Sequence, residues 1–149
     1  TNYDVYGSMG AQGYAGQSAV DSYYAAQAKW KALANAAGTA FIPAATPGFN
    51  DKGVRDGHPA VSRRLTVSSK HGTLFRAMLQ QAVNHTESAT GNMLLITSWN
   101  EWHEDTQIEP VVESAPTNSD VGDGAYSEGL DYEGYGERYL NILREETTR

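Results

Sequence analysis

Residues 96–110, Ile-Thr-Ser-Trp-Asn-Glu-Trp-His-Glu-Asp-Thr-Gln-Ile-Glu-Pro, concentrate groups that can do chemistry. Glu101 and Glu104 stand three positions apart. On one helical turn such side chains share a face, with Cβ atoms roughly 5–6 Å apart. Two carboxyl groups so placed repel, and the more buried of such a pair is driven toward its protonated form. One acid and one ionised carboxylate are what glycosidic cleavage needs: one protonates the leaving oxygen, the other acts as base or nucleophile. Trp99 and Trp102 offer flat faces for sugar rings. Asn100 can both donate to and accept from hydroxyls, and His103 can orient a carboxylate. Glu-x-x-Glu alone is common on solvated helices. What singles this pair out is its place directly after an apolar run and interleaved with two tryptophans.

Rival chemistries fit less well. Glu101, His103, Glu104 and Asp105 are all possible metal ligands, but H-E-x-x-H is absent and adjacent side chains rarely converge on one ion. No metal and no organic cofactor is therefore expected. His58, His71 and His85 form no close pair, and no G-x-S-x-G marks a serine nucleophile. The absence of cysteine excludes disulfides and thiolate chemistry. Gly7, Gly10, Gly13 and Gly16 do not have the G-x-G-x-x-G spacing of a dinucleotide loop, and read as a flexible loop. With 18 acidic against 11 basic residues and a net charge of −7, nucleic acid is not the expected partner. No apolar run approaches the ~20 residues of a membrane span. Nine Tyr and three Trp against three Phe supply rings with a polar edge, which sugar sites use and which surface packing uses equally.

The elements that must position the carboxylates alternate. A short strand is expected over residues 2–6, then the glycine-rich loop, then an alanine-rich helix over 18–37 with Val20, Tyr23, Tyr24, Trp30 and Leu33 as its apolar face. A nearly all-apolar strand over 39–45 suits burial on both faces, and Thr46-Pro47-Gly48 ends it. A long polar loop follows over 49–71, with Asp51, Arg55, His58, Arg63 and Arg64; loops of this length are often functional. A helix is expected over 72–85, a third strand over 92–98, a glycine- and serine-rich surface loop over 113–129, and a last helix over 134–146. Strand–helix alternation implies an α/β class with a parallel sheet. The loop at a strand's C-terminal end then carries the site. Three such units cannot close a barrel of eight, so a barrel would need its N-terminal remainder from elsewhere. Asn84-His85-Thr86 matches a glycosylation sequon, a triplet that also arises by chance.

The run from Trp99 to Glu109 resembles the signature of glycoside hydrolase family 99, the endo-α-mannosidases. Phe41-Ile42-Pro43, Pro47-Gly48-Phe49-Asn50-Asp51 and Val54-Arg55 look like the family's preceding strand and loop; Leu130-Asp131-Tyr132 with Tyr139-Leu140 looks like its closing helix. The resemblance implies the C-terminal portion of a (β/α)8 TIM barrel, about three β/α units, with residues 1–149 as part of a single domain. It implies cleavage of α-mannosidic linkages within glycans or polysaccharides, endo-acting and with retention. By the motif match, Glu101 takes the role of base on the sugar's own 2-hydroxyl, and Glu104 that of acid and then base. Tyr6, Asn100, Trp102 and His103 are the implied substrate contacts. The family context points to an extracytoplasmic or Golgi-lumen setting. Asp105 stands where the family commonly has Gly. Similar motifs occur in proteins of surface-polysaccharide assembly, so a non-catalytic glycan-binding role is the alternative.

Overall fold

A computed structural model of the chain describes residues 1–55, 57–115 and 133–148. Asp4 opens the first element: its carboxylate accepts from the Gly7 amide at 3.0 Å, and the helix α1 (Val5–Met9) follows. Gly10, at φ +64°, stops it in the left-handed conformation that glycine adopts without a Cβ clash. The expected strand over 2–6 is thus a helix, because a carboxylate at a helix start outbids the weak local strand pattern. α2 (Gly16–Ala36) is the long alanine-rich helix. Its buried stripe is Val20, Tyr23, Tyr24 and Gln27. Trp30 and Leu33, expected on this face, lie on its exposed flank, since the stripe drifts on through the half-buried Lys31 and Ala34.

β1 (Ala44–Ala45) and β2 (Leu95–Ile96) pair in parallel, Ala44 opposite Leu95 and Ala45 opposite Ile96. Between them runs α3 (Thr73–Ala82), so that β1, α3 and β2 make one β–α–β unit of an α/β fold. Among the described residues the sheet has two strands, not three, and each is shorter than the sequence predicts. The carbonyls of Pro43 and Ala45 accept from Leu95 and Thr97. The Ala44 carbonyl, facing away, takes the Tyr24 hydroxyl at 2.8 Å, so α2 is tied to the outer side of β1. β1 is fully buried, whereas Leu95 on β2 is exposed. The apolar run that leads into the acidic segment is thus not a buried strand: among the described residues β2 pairs on one edge only, with Leu95 exposed and Ile96 half-buried.

The core lies between α2, α3 and α4 (Arg138–Thr147). α3 contributes Leu74, Phe75, Met78 and Leu79, all buried, each worth about 1.5–3 kcal/mol against exposure to water. α4 adds Tyr139 and Ile142. Its buried Glu146 and its exposed Glu145 both pair with Arg76 of α3. Residues 49–71 are not a free loop. Phe49 and Val61 form a bridge, and Asp51, Ser62 and Arg63 are buried beside them. The glycine segment is strapped to the same region: the Gly13 amide donates to Ala60 (2.7 Å), Ser62 to Gly13 (2.7 Å) and Gly16 to Leu65 (2.9 Å). The flexible loop expected there is a fixed one. The expected surface loop beyond residue 115 and the Leu130-Asp131-Tyr132 stretch lie outside the described residues. No helix among the described residues is long and apolar enough to cross a membrane.

Candidate active site

β2 delivers the chain to the site through Thr97, whose amide is bound to Ala45 and whose hydroxyl donates to the Tyr3 carbonyl at 2.9 Å. The Thr97–Ser98 peptide is cis. Residues 98–109 then close on themselves. The Ser98 amide donates to Thr106, and the amides of Ile108 and Glu109 both donate to Trp99. The Ser98 hydroxyl meets that of Thr106 at 2.7 Å and accepts from the Glu101 amide at 3.0 Å. A loop whose ends are so joined holds its tip without a strand on either side.

The tip is one 3-10 turn, Trp102–Glu104, with Glu101 at its N-cap and Asp105 at its C-cap. Glu101 and Glu104 therefore sit at the two ends of a single turn. Their side chains differ in setting: Glu101 is 43% exposed and Glu104 15%. Glu104 is gripped on both oxygens. The Tyr6 hydroxyl donates to Oε2 at 3.3 Å, and Arg55 Nη1 donates to Oε1 at 3.2 Å. Tyr6 reaches it from α1, its ring stacked on Phe49 at 3.7 Å and 12°. Burial and then the neighbouring Glu104 charge push the Tyr6 phenol well above its ordinary pKa, so it stays a donor at all physiological pH.

The remaining residues expected at the site are more loosely held. His103 Nδ1 lies 3.6 Å from Glu101 Oε1, an ion pair only when the ring is protonated. Trp102 is half exposed, and its ring N–H donates to Glu109 at 2.6 Å. Trp99 is half exposed, and Asn100 is exposed, its carbonyl accepting from the Trp102 amide. Tyr6, Glu101, Glu104 and His103 are thus brought together, while Trp99, Asn100 and Trp102 present open surfaces beside them. Among the described residues no three His, Asp or Glu side chains converge in a metal-binding group.

Four site residues escaped the sequence reading. Asp51 is fully buried and receives Arg55 Nη1 at 2.5 Å and His58 Nδ1 at 2.7 Å. Bonds to Asp51 and then to Glu104 raise the Arg55 pKa, so its charge is permanent. The fourth is Arg63. Its Nε and Nη2 donate to Asp105 Oδ1 (3.2 and 3.0 Å), and Nη2 also reaches the carbonyls of Asp105 and Gln107, each at 2.9 Å. Its guanidinium lies over the rings of Tyr139 and Tyr135, 4.7 and 5.4 Å from their centroids. Burial opposes the Arg63 charge most strongly; Asp105 and Tyr139 together outweigh it, and the pKa ends above the ordinary value. Asp105 adopts φ +47°, left-handed, a conformation glycine takes freely and Asp tolerates. The Asp51-x-x-x-Arg55 spacing was a visible signal for one pair; nothing local marks Arg63 as the partner of Asp105. A cleft of about 460 Å³ opens beside Tyr6, lined among others by Asp4, Gln12, Phe49, His58 and Val61, a size within the range of small-ligand sites.

Comparison with known proteins adds to this geometry. Residues 3–146 match the family model described as Glycosyl hydrolase family 99. A glycoprotein endo-alpha-1,2-mannosidase-like protein of Danio rerio is 33% identical over 94 residues, which is 61% of this chain and 20% of that protein. Its Mus musculus counterpart is 33% identical over 100 residues, 64% of this chain and 20% of that protein. The chain thus spans about a fifth of the length of these curated relatives. Among solved structures, a GH99 endo-alpha-mannosidase from Bacteroides thetaiotaomicron is 25% identical, covering 85% of this chain and 36% of that one, with a TM-score of 0.47.

Proposed function

The chain belongs to glycosyl hydrolase family 99, and on that premise we propose that it carries the catalytic carboxylates of a retaining, endo-acting α-mannosidase. The observation that carries the reading is the pair Glu101 and Glu104 at the two ends of one turn beyond a parallel strand, the second more buried and gripped by Tyr6 and Arg55. The motif match gives Glu104 the acid and then base role, and the more open Glu101 suits a base that must meet a hydroxyl arriving from solvent.

The reaction runs in two steps. Glu101 takes the proton of the sugar's 2-hydroxyl, whose oxygen attacks the anomeric carbon. Glu104 protonates the departing glycosidic oxygen, and that bond breaks. Water then opens the anhydro-sugar, with Glu104 as its base and Glu101 returning the proton to the 2-oxygen, so the configuration is retained. Trp99, Trp102, Asn100 and His103 offer the stacking faces and hydrogen-bonding groups that receive the glycan. β1 and β2 are read as neighbouring strands of a (β/α)8 barrel, with further strands supplied from beyond these 149 residues. The exposure of Leu95 on β2 and of Met93 just ahead of it supports this, since parallel strands are ordinarily covered on both faces.

The test is a product assay. The intact protein is incubated with α-mannan and glucosylated high-mannose glycans, and released sugars are followed by NMR. Release of an α-configured saccharide of two or more units, lost by about 10²–10⁴-fold in Glu101→Gln and in Glu104→Gln, is the expected result. Near-normal turnover in both variants refutes the residue assignment. Glycan binding without release moves the reading to a non-catalytic glycan-binding or polysaccharide-assembly protein.

A further inference from the structure

We propose that Asp51, Arg55 and His58 form a positioning relay that fixes the plane of the Glu104 carboxyl and ties it to the wall of the adjoining cleft; the inference rests on the catalytic reading of Glu104. A glutamate carboxyl turns easily about its last torsion, whose energy surface is broad. Proton transfer needs one oxygen held at a set direction and distance. Glu104 meets this through two donors from separate segments, Tyr6 on Oε2 and Arg55 on Oε1.

Arg55 cannot supply that constraint unaided. Its side chain is 57% exposed, and a long exposed side chain samples many rotamers. It is fixed from behind: the same Nη1 that reaches Glu104 contacts Asp51 Oδ2 at 2.5 Å, and Asp51 is fully buried. The amides of Val54 and Arg55 both donate to the Asp51 carbonyl, folding this stretch into a turn that returns Arg55 over Asp51. An ordinary exposed i,i+4 pair contributes only about 0.3–0.5 kcal/mol. This pair differs, because its anion has left water and needs compensation, and because its cation reaches a third residue 49 positions away in sequence.

The second oxygen of Asp51 faces His58 Nδ1 at 2.7 Å, and the His58 ring meets the edge of Phe49 at 5.4 Å. His58 also lines the cleft beside Tyr6, with Asp4 among its walls. The groups facing Glu104 and its relay are thus Tyr6 and Asp4 from the N-terminal segment and Asp51, Arg55 and His58 from the 49–61 segment. Glu101, His103 and the Arg63–Asp105 pair lie on or against its own turn. A ligand that hydrogen-bonds His58 in the cleft shifts its share of the Asp51 charge, and Arg55 passes the change to Glu104.

The experiment uses the intact protein with Arg55→Met, Arg55→Lys, Asp51→Asn and His58→Gln. Two readouts are taken: kcat and KM across pH, and the titration of the Glu104 side-chain carboxyl carbon by ¹³C NMR, identified by its loss in Glu104→Gln. Arg55→Met should lower kcat about 10- to 100-fold, the scale of a displaced catalytic group, with KM changed less than about threefold and the alkaline limb of kcat displaced. Arg55→Lys should restore part of kcat, and His58→Gln should act in the same direction as Arg55→Met but more weakly. A Glu104 titration that changes with Arg55→Met supports the relay even if the unaltered protein cleaves no α-mannoside; in that case the mannosidase reading alone falls. A Glu104 titration identical in Arg55→Met, Asp51→Asn and the unaltered protein overturns the relay, whatever the activity.

Discussion

Arg63 offers the sharpest test of how the catalytic turn is held. Arg63→Met keeps most of the side-chain volume over Tyr139 and Tyr135 and removes the charge. Asp105 Oδ1 then loses its two bonds from Arg63 and keeps only the one from Gln107 Nε2 at 3.2 Å, and the carbonyls of Asp105 and Gln107 lose their shared donor. Breaking a buried ion pair from one side costs about 3–5 kcal/mol, because the other charge is stranded. The Asp105 side chain retains 19% exposure, which places the expected loss near the lower bound, about 3 kcal/mol. In a protein of this size or somewhat larger, that lowers Tm by about 6–12 °C. The companion variant is Asp105→Gly. In the Arg63→Met background it removes the stranded carboxylate and leaves the left-handed position to the residue that takes it without strain. The double variant should therefore be more stable than Arg63→Met alone by at least about 1 kcal/mol, a coupling within the range of contacting pairs. Urea unfolding of the four proteins, with kcat measured alongside, gives the cycle. A loss below about 1 kcal/mol for Arg63→Met with additive effects would refute the view that this pair anchors the turn.

Two further outcomes follow from other positions. His71 has its pKa lowered by burial and then by Arg63, and its Nε2 is buried without a partner among the described residues. A histidine whose folded pKa lies below its unfolded value binds fewer protons folded than unfolded, so stability is full above about pH 6.5 and falls as pH drops through the window beneath it. A pH series of Tm should show this fall and His71→Gln should flatten it; an equal slope in both would sink the account. Gly72 opens α3 at φ +88°, and a Cβ there would stand 2.6 Å from Ile142 Cδ1. Gly72→Ala should cost about 1–3 kcal/mol by forcing α4 off α3, read as a lower denaturation midpoint at an unchanged m-value, and an unchanged midpoint would show that Ile142 yields freely.

The parts legible in the sequence were those set by local pattern. The alanine run of α2 and the Leu74, Met78, Leu79 and Ala82 face of α3 follow from helical periodicity. Glu101 and Glu104 were visible as a spaced pair interleaved with tryptophans. Tyr6 entered through family resemblance and lies 3.3 Å from Glu104, although on a helix where a strand was expected. The misreadings have physical causes. Pattern did not show that Asp4 would cap a helix, nor that only two residues of each of the strands expected over 39–45 and 92–98 would find a partner. Arg63 and Arg55 were missed as site residues because each acts on a partner 42 or 49 positions away, and no local spacing encodes which distant carboxylate a buried arginine will meet. Length and polarity made residues 49–71 look like a free loop, though Phe49, Val61 and Arg63 put part of it in the interior.

The three backbone straps between residues 13–16 and 60–65 also set how the site can move. Tyr6 lies on α1, just ahead of the strapped glycine segment, and Arg63 lies within the other strapped stretch. The two side chains that grip Glu104 and Asp105 from different directions therefore come from segments tied to each other through the backbone. A substitution that cuts one strap, such as Gly13→Pro, which removes the amide bound to Ala60, would thus reach both Glu104 and Asp105 of the 101–105 turn from a distance, while the exposed rings of Trp99 and Trp102 at its rim would be untouched.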